Sequence, residues 1–293
     1  MKNFLHKAYK WSNSWTGTIV IVLFIVFFVA QAFRIPSGSM KDSLLIGDHL
    51  FAKKFAYGVP MPYLPFLEVP VIPWSDSLKS IDGDKPKRGD IVIFRPPHNI
   101  KTHFVKRCFA VGGDEILFTD DTLYLHPHEG DDYIKKNYKS DKIKRIGEKL
   151  WVKNPMIEEH PGIHYDQNHN IFYDYINRYL SPAYSVDMEP VMLAEFTHDP
   201  RLPFNAFYKK VEDNKYYMIG DNRDHSNDSR FWGSVNYENV EGTPWFIYFS
   251  IDKNWEIRWD RIGKTPSDLE KPLHLQKAIE ERLREDKDYH GIT

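Results

Sequence analysis

The chain has a single cysteine in 293 residues, Cys108, so no intrachain disulfide can form. That says little about compartment, because an extracytoplasmic domain can lack disulfides. A lone cysteine is more often a small buried side chain than a nucleophile. There is no internal repeat and no low-complexity segment. Charge of one sign is also lacking: 39 basic and 41 acidic side chains leave a net charge of −2. That balance does not suit a nucleic-acid surface. Two serine-enzyme signatures are missing, namely Gly-x-Ser-x-Gly and Lys-Thr-Gly. Ser250-Ile251-Asp252-Lys253 and Ser234-Val235-Asn236 stand in the reverse of the penicillin-binding order. A Ser-His-Asp triad stays open among 13 histidines, but no local pattern favours one.

The most telling absence is of charge between Trp11 and Phe33. As a helix, residues 11–33 would span about 34 Å, against roughly 30 Å of bilayer hydrocarbon. Trp11 and Trp15 suit the headgroup layer, and Lys2, Lys7 and Lys10 favour a cytoplasmic N-terminus. Arg34, Lys41, Lys53 and Lys54 follow the stretch and weaken that charge argument. A cleaved secretory signal is the competing reading, since Ala30-Gln31-Ala32 has the small-x-small form of a cleavage site. The apolar run exceeds the usual length of about 7–15 residues for such a signal. A retained anchor is therefore expected over 11–33, after a short cytoplasmic segment 1–10. Ala30-Gln31-Ala32 stays open as a self-cleavage site.

What is present beyond residue 33 is a well-cored composition, 15% aromatic and 27% charged. Short apolar or alternating runs at 90–94, 103–111, 216–219 and 245–251 predict strands. Trp255, Ile257 and Trp259 alternate with Glu256, Arg258 and Asp260, which predicts one more. Gly47-Asp48, Gly89-Asp90, Gly113-Asp114 and Gly220-Asp221 punctuate these runs as turns. Residues 115–211 are more polar and less periodic, and read as a second lobe inserted between core segments 34–114 and 212–262. His160, His164 and His169 fall there; their spacing fits no zinc pattern, and a solvated loop is expected. Pro60-Met61-Pro62-Tyr63-Leu64-Pro65-Phe66-Leu67 reads as a packed loop, or as one dipping into a membrane interface. In the tail 263–293, Leu275, Ile279 and Leu283 predict an amphipathic docking helix.

Ile35-Pro36-Ser37-Gly38-Ser39-Met40 follows the apolar stretch directly. Farther on stand Arg88-Gly89-Asp90-Ile91-Val92-Ile93-Phe94, then Val105-Lys106-Arg107 with Gly113-Asp114. Gly220-Asp221-Asn222-Arg223-Asp224-His225-Ser226-Asn227-Asp228-Ser229-Arg230 comes last. In order and spacing these segments resemble the boxes of bacterial type I signal peptidases, the membrane-bound leader peptidases. Gly47-Asp48 and Lys54-Phe55-Ala56-Tyr57-Gly58 extend the likeness. It covers about residues 30–115 and 212–262; the inserted lobe and the tail lie outside its specific part.

The resemblance implies that Ser39 is the nucleophile, Lys106 the general base and Ser37 the hydroxyl donor to the oxyanion. It implies that Ser226 holds the lysine amine, within a polar network of Asp221, Arg223, Asp228 and Arg230. Ile35, Pro36, Phe104 and Val105 would line small pockets that select Ala-x-Ala. It implies a mainly β fold: one N-terminal transmembrane helix, then an antiparallel catalytic core with a second β-rich lobe. The substrates would be signal peptides of exported preproteins, with the bilayer and the secretion machinery as partners. Neither a cofactor nor nucleic acid is implied. The place would be the inner membrane, with the body on the periplasmic side. Asp42-Ser43 departs from the Pro-Thr pair common after the nucleophile, and His225 from a frequent asparagine.

A free lysine titrates near pH 10.4, so a base working near pH 8 needs a drop of about 2.4 units, or about 3.3 kcal/mol. Burial supplies such a drop. On a strand over 103–111, Lys106 shares its face with Phe104, Cys108 and Ala110, while Arg107 points away. Lys53 and Lys54 are the alternatives if Lys106 proves exposed. A related Ser-Lys peptidase with a regulatory substrate, and a non-catalytic tethered β-domain, remain open beside this reading.

Overall fold

The computed structural model describes residues 2–24, 30–60, 63–64, 69–70, 79–120, 122–166 and 168–290. Its N-terminal helices are α1 (Lys2–Ser12) and α2 (Trp15–Phe24), separated by a turn. Among the described residues no helix is long and apolar enough to cross a membrane. Residues 25–29 of the expected anchor lie outside the described residues. The end of that expected helix is corrected: Ala30–Arg34 is strand β1, paired with β2 (Asp48–Lys53) from Ala30↔Lys53 to Arg34↔His49. Cross-strand bonding outweighs helix propensity there. Ala30-Gln31-Ala32 is part of this strand.

Along the chain, β3 (Gly58–Pro60) pairs with β6 (Lys79–Asp82), and β4 (Tyr63–Leu64) with β5 (Val69–Pro70). Most of the proline-aromatic stretch 60–67 lies outside the described residues. Next come β7 (Ile91–Phe94) and β8 (Phe104–Val111). The inserted lobe holds β9 (Glu115–Phe118), β10 (Leu123–His126), β11 (Ile143–Ile146), β12 (Lys149–Lys153), β13 (Glu189–Val191) and β14 (Ala206–Lys210). The chain returns through β15 (Lys215–Ile219), β16 (Val235–Asn236) and the bulged β17 (Val240–Ser250).

These strands make an antiparallel sheet ordered β1-β2-β17-β7-β8-β15-β16 and a lobe sheet ordered β11-β12-β10-β9-β14-β13. The lobe gave weak periodicity because β9 and β10 are buried on both faces. Helix α4 (Ile171–Leu180; α3 is Asp131–Asn137) covers one face, with Phe172 and Tyr175 packed edge-on against Phe118.

Three of the four Gly-Asp pairs close turns by one device, while at Gly220-Asp221 the glycine has no positive φ and the carboxylate serves distant Arg107 and Ser43. Gly47, Gly89 and Gly113 have φ of 88°, 93° and 89°, where a side chain is disfavoured. The carboxylates of Asp48, Asp90 and Asp114 then accept the backbone N–H groups of Leu45, Lys87 and Val111. The strand expected over 255–259 is corrected. Trp255 has φ of 66°, Ile251 and Ile257 form one isolated bridge, and Trp259–Arg261 is a 3-10 turn. Asp252 Oδ1 accepts from the N–H groups of Asn254 and Glu256, folding the segment back.

Short helices α5 (Ser229–Trp232) and α6 (Pro266–Leu269) precede α7 (Pro272–His290). The tail is helical, but its docking stripe differs from the expected one. Leu275, Ala278, Ile279 and Arg282 turn inward, whereas Leu283 is exposed. A spacing of four at each step drifts around a helix of 3.6 residues per turn, and Arg282 takes the place on the inner stripe.

Candidate active site

Strand β1 ends where Ile35 N–H donates to Asp48 O, and Gly47 N–H returns a bond to Ile35 O. Ser37 then leads into a 3-10 turn, Gly38–Met40. Met40 is wholly buried among Ile35, Leu44 and Ile91, a burial worth about 1.5–3 kcal/mol, and it pins the turn from below. Ser39 thereby faces a cleft of about 890 Å³. Ile35 and Pro36 line the cleft, as do Phe104 and Val105 at the start of β8. Ser37 stands at its mouth, exposed, with Oγ 3.5 Å from Ser39 Oγ.

Lys106 extends from the middle of β8, opposite Val92 of β7. It is 5% exposed, and its Nζ lies 2.5 Å from Ser39 Oγ. Nζ also lies 5.4 Å from the centre of the Phe104 ring. Burial lowers its pKa to about 8; Asp228 and Asp221 oppose the fall and Arg230 adds to it. Neither alternative lysine lines the cleft, and Lys53 is exposed.

Arg107 leaves the other face of β8, as strand alternation requires. Its Nε and Nη2 donate to the Asp221 carboxylate at 2.8 and 2.6 Å, Nη1 to Gly89 O, and Nη2 also to Glu270. Ser43 Oγ donates to Asp221 at 2.6 Å. Asp221 is fully buried; these partners outweigh the cost of burial and hold its pKa below the ordinary carboxylate value. Asp228 caps α5 and takes Arg230 Nε and Nη2 at 2.9 and 2.8 Å, and Gly220 N–H at 3.1 Å. Arg230 reaches back to Arg223 O, and the Arg223 guanidinium lies over the Phe109 ring. Asp221, Arg223, Asp228 and Arg230 of the expected network are all buried, but their side chains fall into two ion pairs, Arg107–Asp221 and Arg230–Asp228. Among the described residues Arg223 Nε and Nη1 make no hydrogen bond.

Ser226 is buried beside this network, where its hydroxyl lies against the Asp228 carboxylate, and it makes no hydrogen bond to Lys106. It packs against Gly220, where an added Cβ would lie 2.4 Å from Ser226 Oγ and 2.5 Å from Ser39 O. Gly220→Ala should therefore displace the Ser39 turn. Activity is expected to drop at least about 10²-fold, since misplacement near 1 Å costs that much, while circular dichroism still shows a folded β protein.

Sequence reasoning missed several residues around this site. Asp42 has φ of 74°, and its buried carboxylate meets His164 Nδ1 at 3.3 Å and Arg282 Nε at 3.1 Å. Proline fixes φ near −65°, which explains why this backbone does not carry the proline common there. His164, expected in a solvated loop, lines the cleft instead. Its N–H donates to Asp221 O, and its carbonyl accepts from Arg223 N–H. Asn222 ties the turn down by donating its backbone N–H to Ser39 O and its amide to Gly38 O. Of these, Asn222 carried a signal by lying inside the polar box, and Asp42 by standing where the family often has proline. Among the described residues one cluster has metal-like spacing, Asp114, His128 and Glu129, and Arg88 already pairs with both of its carboxylates.

The family described as signal peptidase, peptidase S26, matches residues 8–249. A signal peptidase I of Helicobacter pylori (strain ATCC 700392 / 26695) is 44% identical over 293 aligned residues, 94% of this chain and 99% of the relative. One from Rickettsia bellii (strain OSU 85-389) is 30% identical, covering 86% of this chain and 76% of its own length. A solved signal peptidase I from Enterococcus faecalis V583 aligns with 55% of this chain and 97% of its own, at 22% identity and a TM-score of 0.28. The family match takes in the serine turn, the buried lysine and the polar box alike, and so the chain belongs to the signal peptidase family, peptidase S26.

Proposed function

We propose that the protein removes N-terminal signal peptides from exported preproteins through a Ser39–Lys106 dyad. The observation that carries the reading is a buried lysine, with a pKa near 8, within 2.5 Å of a serine hydroxyl in an open cleft. A neutral amine is the required base, and one that titrates near working pH serves best. Lys106 takes the Ser39 proton as Oγ attacks the scissile carbonyl. The lysine then protonates the leaving amine, and the new N-terminus departs. Water, deprotonated by the same amine, attacks the ester and frees Ser39.

The oxyanion would sit between Ser39 N–H and Ser37 Oγ. Ser37 is close enough to Ser39 to serve, and among the described residues its side chain makes no other hydrogen bond. Ser37→Ala should lower kcat about 10²–10³-fold with little change in KM, as loss of one oxyanion donor does. A large rise in KM at constant kcat would instead make Ser37 a ground-state contact.

The peptide would lie extended beside 33–36, in the manner of an added strand. Ile35, Pro36, Phe104 and Val105 line the cleft beside Ser39 and would form the pockets that set an Ala-x-Ala preference. Asp221, Arg223, Asp228 and Arg230 would hold the walls of the lysine pocket. Ser226 would orient the amine, with its hydroxyl lying between the network and the lysine pocket. The uncharged stretch from Trp11 to Phe33 would tether the protein to the inner membrane, with the body on the periplasmic side beside the secretion machinery. The direct test is cleavage of a purified preprotein in detergent by wild type and by Ser39→Ala. Equal rates would overturn the assignment.

A further inference from the structure

We propose that Arg282, on the C-terminal helix α7, is a positioning residue for the nucleophile turn and acts through Asp42. The inference rests on the reading of Ser39 given above.

Asp42 stands three residues after Ser39 in a left-handed conformation that L residues other than Gly, Asn and Asp seldom adopt. Such a backbone persists only when its surroundings hold it. The holders belong to separate parts of the chain. Ser43 Oγ fastens the next residue to Asp221, and Asn222 fastens Ser39 itself. The Asp42 carboxylate is 1% exposed and meets His164 from the inserted lobe and Arg282 from the tail. Burial pushes the Asp42 carboxyl up, while His164, Arg282 and Lys41 oppose it. Burial also pushes the His164 imidazole down, toward its neutral form. The guanidinium is then the lasting positive charge in direct contact with that carboxylate.

Arg282 is not what docks the helix. Glu281 pairs with Arg258, Lys277 reaches Asp260 at 3.2 Å, and Ala278 is buried in the contact. Among the described residues the guanidinium makes one hydrogen bond, to Asp42, and the side chain also lines the cleft. Without it the carboxylate keeps the shared Nδ1–H of His164, which Gly162 O also accepts at 3.0 Å, and the more diffuse field of Lys41. The carboxylate would then turn toward water or take a proton. Either change releases the turn that aims Ser39 Oγ at Lys106.

The test is steady-state cleavage of a preprotein by the full chain in detergent. Arg282→Ala should lower kcat about 10–100-fold while KM stays within about 3-fold, the sign of misaimed groups rather than lost binding. Arg282→Lys should recover most of that loss. Asp42→Asn should lower kcat comparably, and the double variant Asp42→Asn/Arg282→Ala should be no slower than Asp42→Asn alone. Multiplying losses, or a rise in KM alone, would overturn the proposal. If Arg282→Ala fails to fold, Arg282→Met keeps the stem without the charge, and an unchanged kcat there is equally decisive. Ser39→Ala separates the two levels. An inactive Ser39→Ala beside a fully active Arg282→Ala sinks this inference alone. An active Ser39→Ala sinks the dyad with it.

Discussion

Lys106→Met should abolish preprotein cleavage, by at least about 10⁴-fold in kcat, while making the fold more stable at neutral pH. Loss of one member of a nucleophile–base pair costs that much in serine peptidases whose groups act as a unit. The gain in stability follows from the depressed lysine. Burial takes Lys106 from 10.5 to about 8, so between those values the unfolded chain binds more protons than the folded one. Stability therefore rises with pH from about 8 to 10.5, and below pH 8 the folded state bears the full cost of a buried ammonium. That cost is about 3 kcal/mol, and methionine, similar in size and uncharged, escapes it. Urea denaturation at pH 7 and pH 10 should show a large advantage for Lys106→Met at pH 7 and a smaller one at pH 10. The wild-type kcat/KM should rise with pH through an apparent pKa near 8. A flat profile from pH 7 to 9, or a variant no more stable than wild type, would mean that the lysine is not buried as described.

The second large effect concerns Arg107, which makes no contact with the nucleophile. Arg107→Ala leaves Asp221 fully buried without its main cation and takes a partner from Glu270. Breaking a buried pair on one side costs about 3–5 kcal/mol, enough to unfold many domains at moderate temperature. Asp221→Asn should be milder, since a neutral amide can still bond Arg107 and Ser43. It should also move the pH–activity profile toward lower pH, because Asp221 is one of the carboxylates that raise the Lys106 pKa. Asp221 itself is held below the ordinary carboxylate value, so its contribution is present near neutrality and is lost as acid titrates it. A Tm for Arg107→Ala within a few degrees of wild type would show the pair to be dispensable.

How much of this was legible beforehand depended on the range of the interaction that decides each feature. Strand alternation is local, and it put Lys106 and Arg107 on opposite faces of β8, where the structure has them. The turns at Gly47, Gly89 and Gly113 are local too, closed within a few residues, whereas Asp221 is held by Arg107 and Ser43 far along the chain. Trp255 to Trp259 misled because a periodic pattern was overruled by Asp252, which folds the segment back. His164 looked like loop polarity because its place is fixed by pairing with Asn222 and the chain beside it, far along the sequence. Leu283 took the stripe position that Arg282 occupies, since only the partner surface reveals which residues a marginal helix buries. The strained Asp42 had one visible trace, the missing proline. Its meaning needed the backbone angle.

The position of α7 bears on the order in which the enzyme comes into being. Ser39 meets Lys106 across 67 residues, Ser43 meets Asp221 across 178, and Asp42 meets Arg282 across 240. Contacts of such separation form late and slowly, after the loops between them have closed. A chain emerging from its N-terminus would therefore leave the Ser39 turn unfastened until Asp221 and then Arg282 have been made. A fragment that stops before α7 lacks the Arg282 contact to Asp42 and, on the reading proposed above, should be inert rather than an unregulated protease.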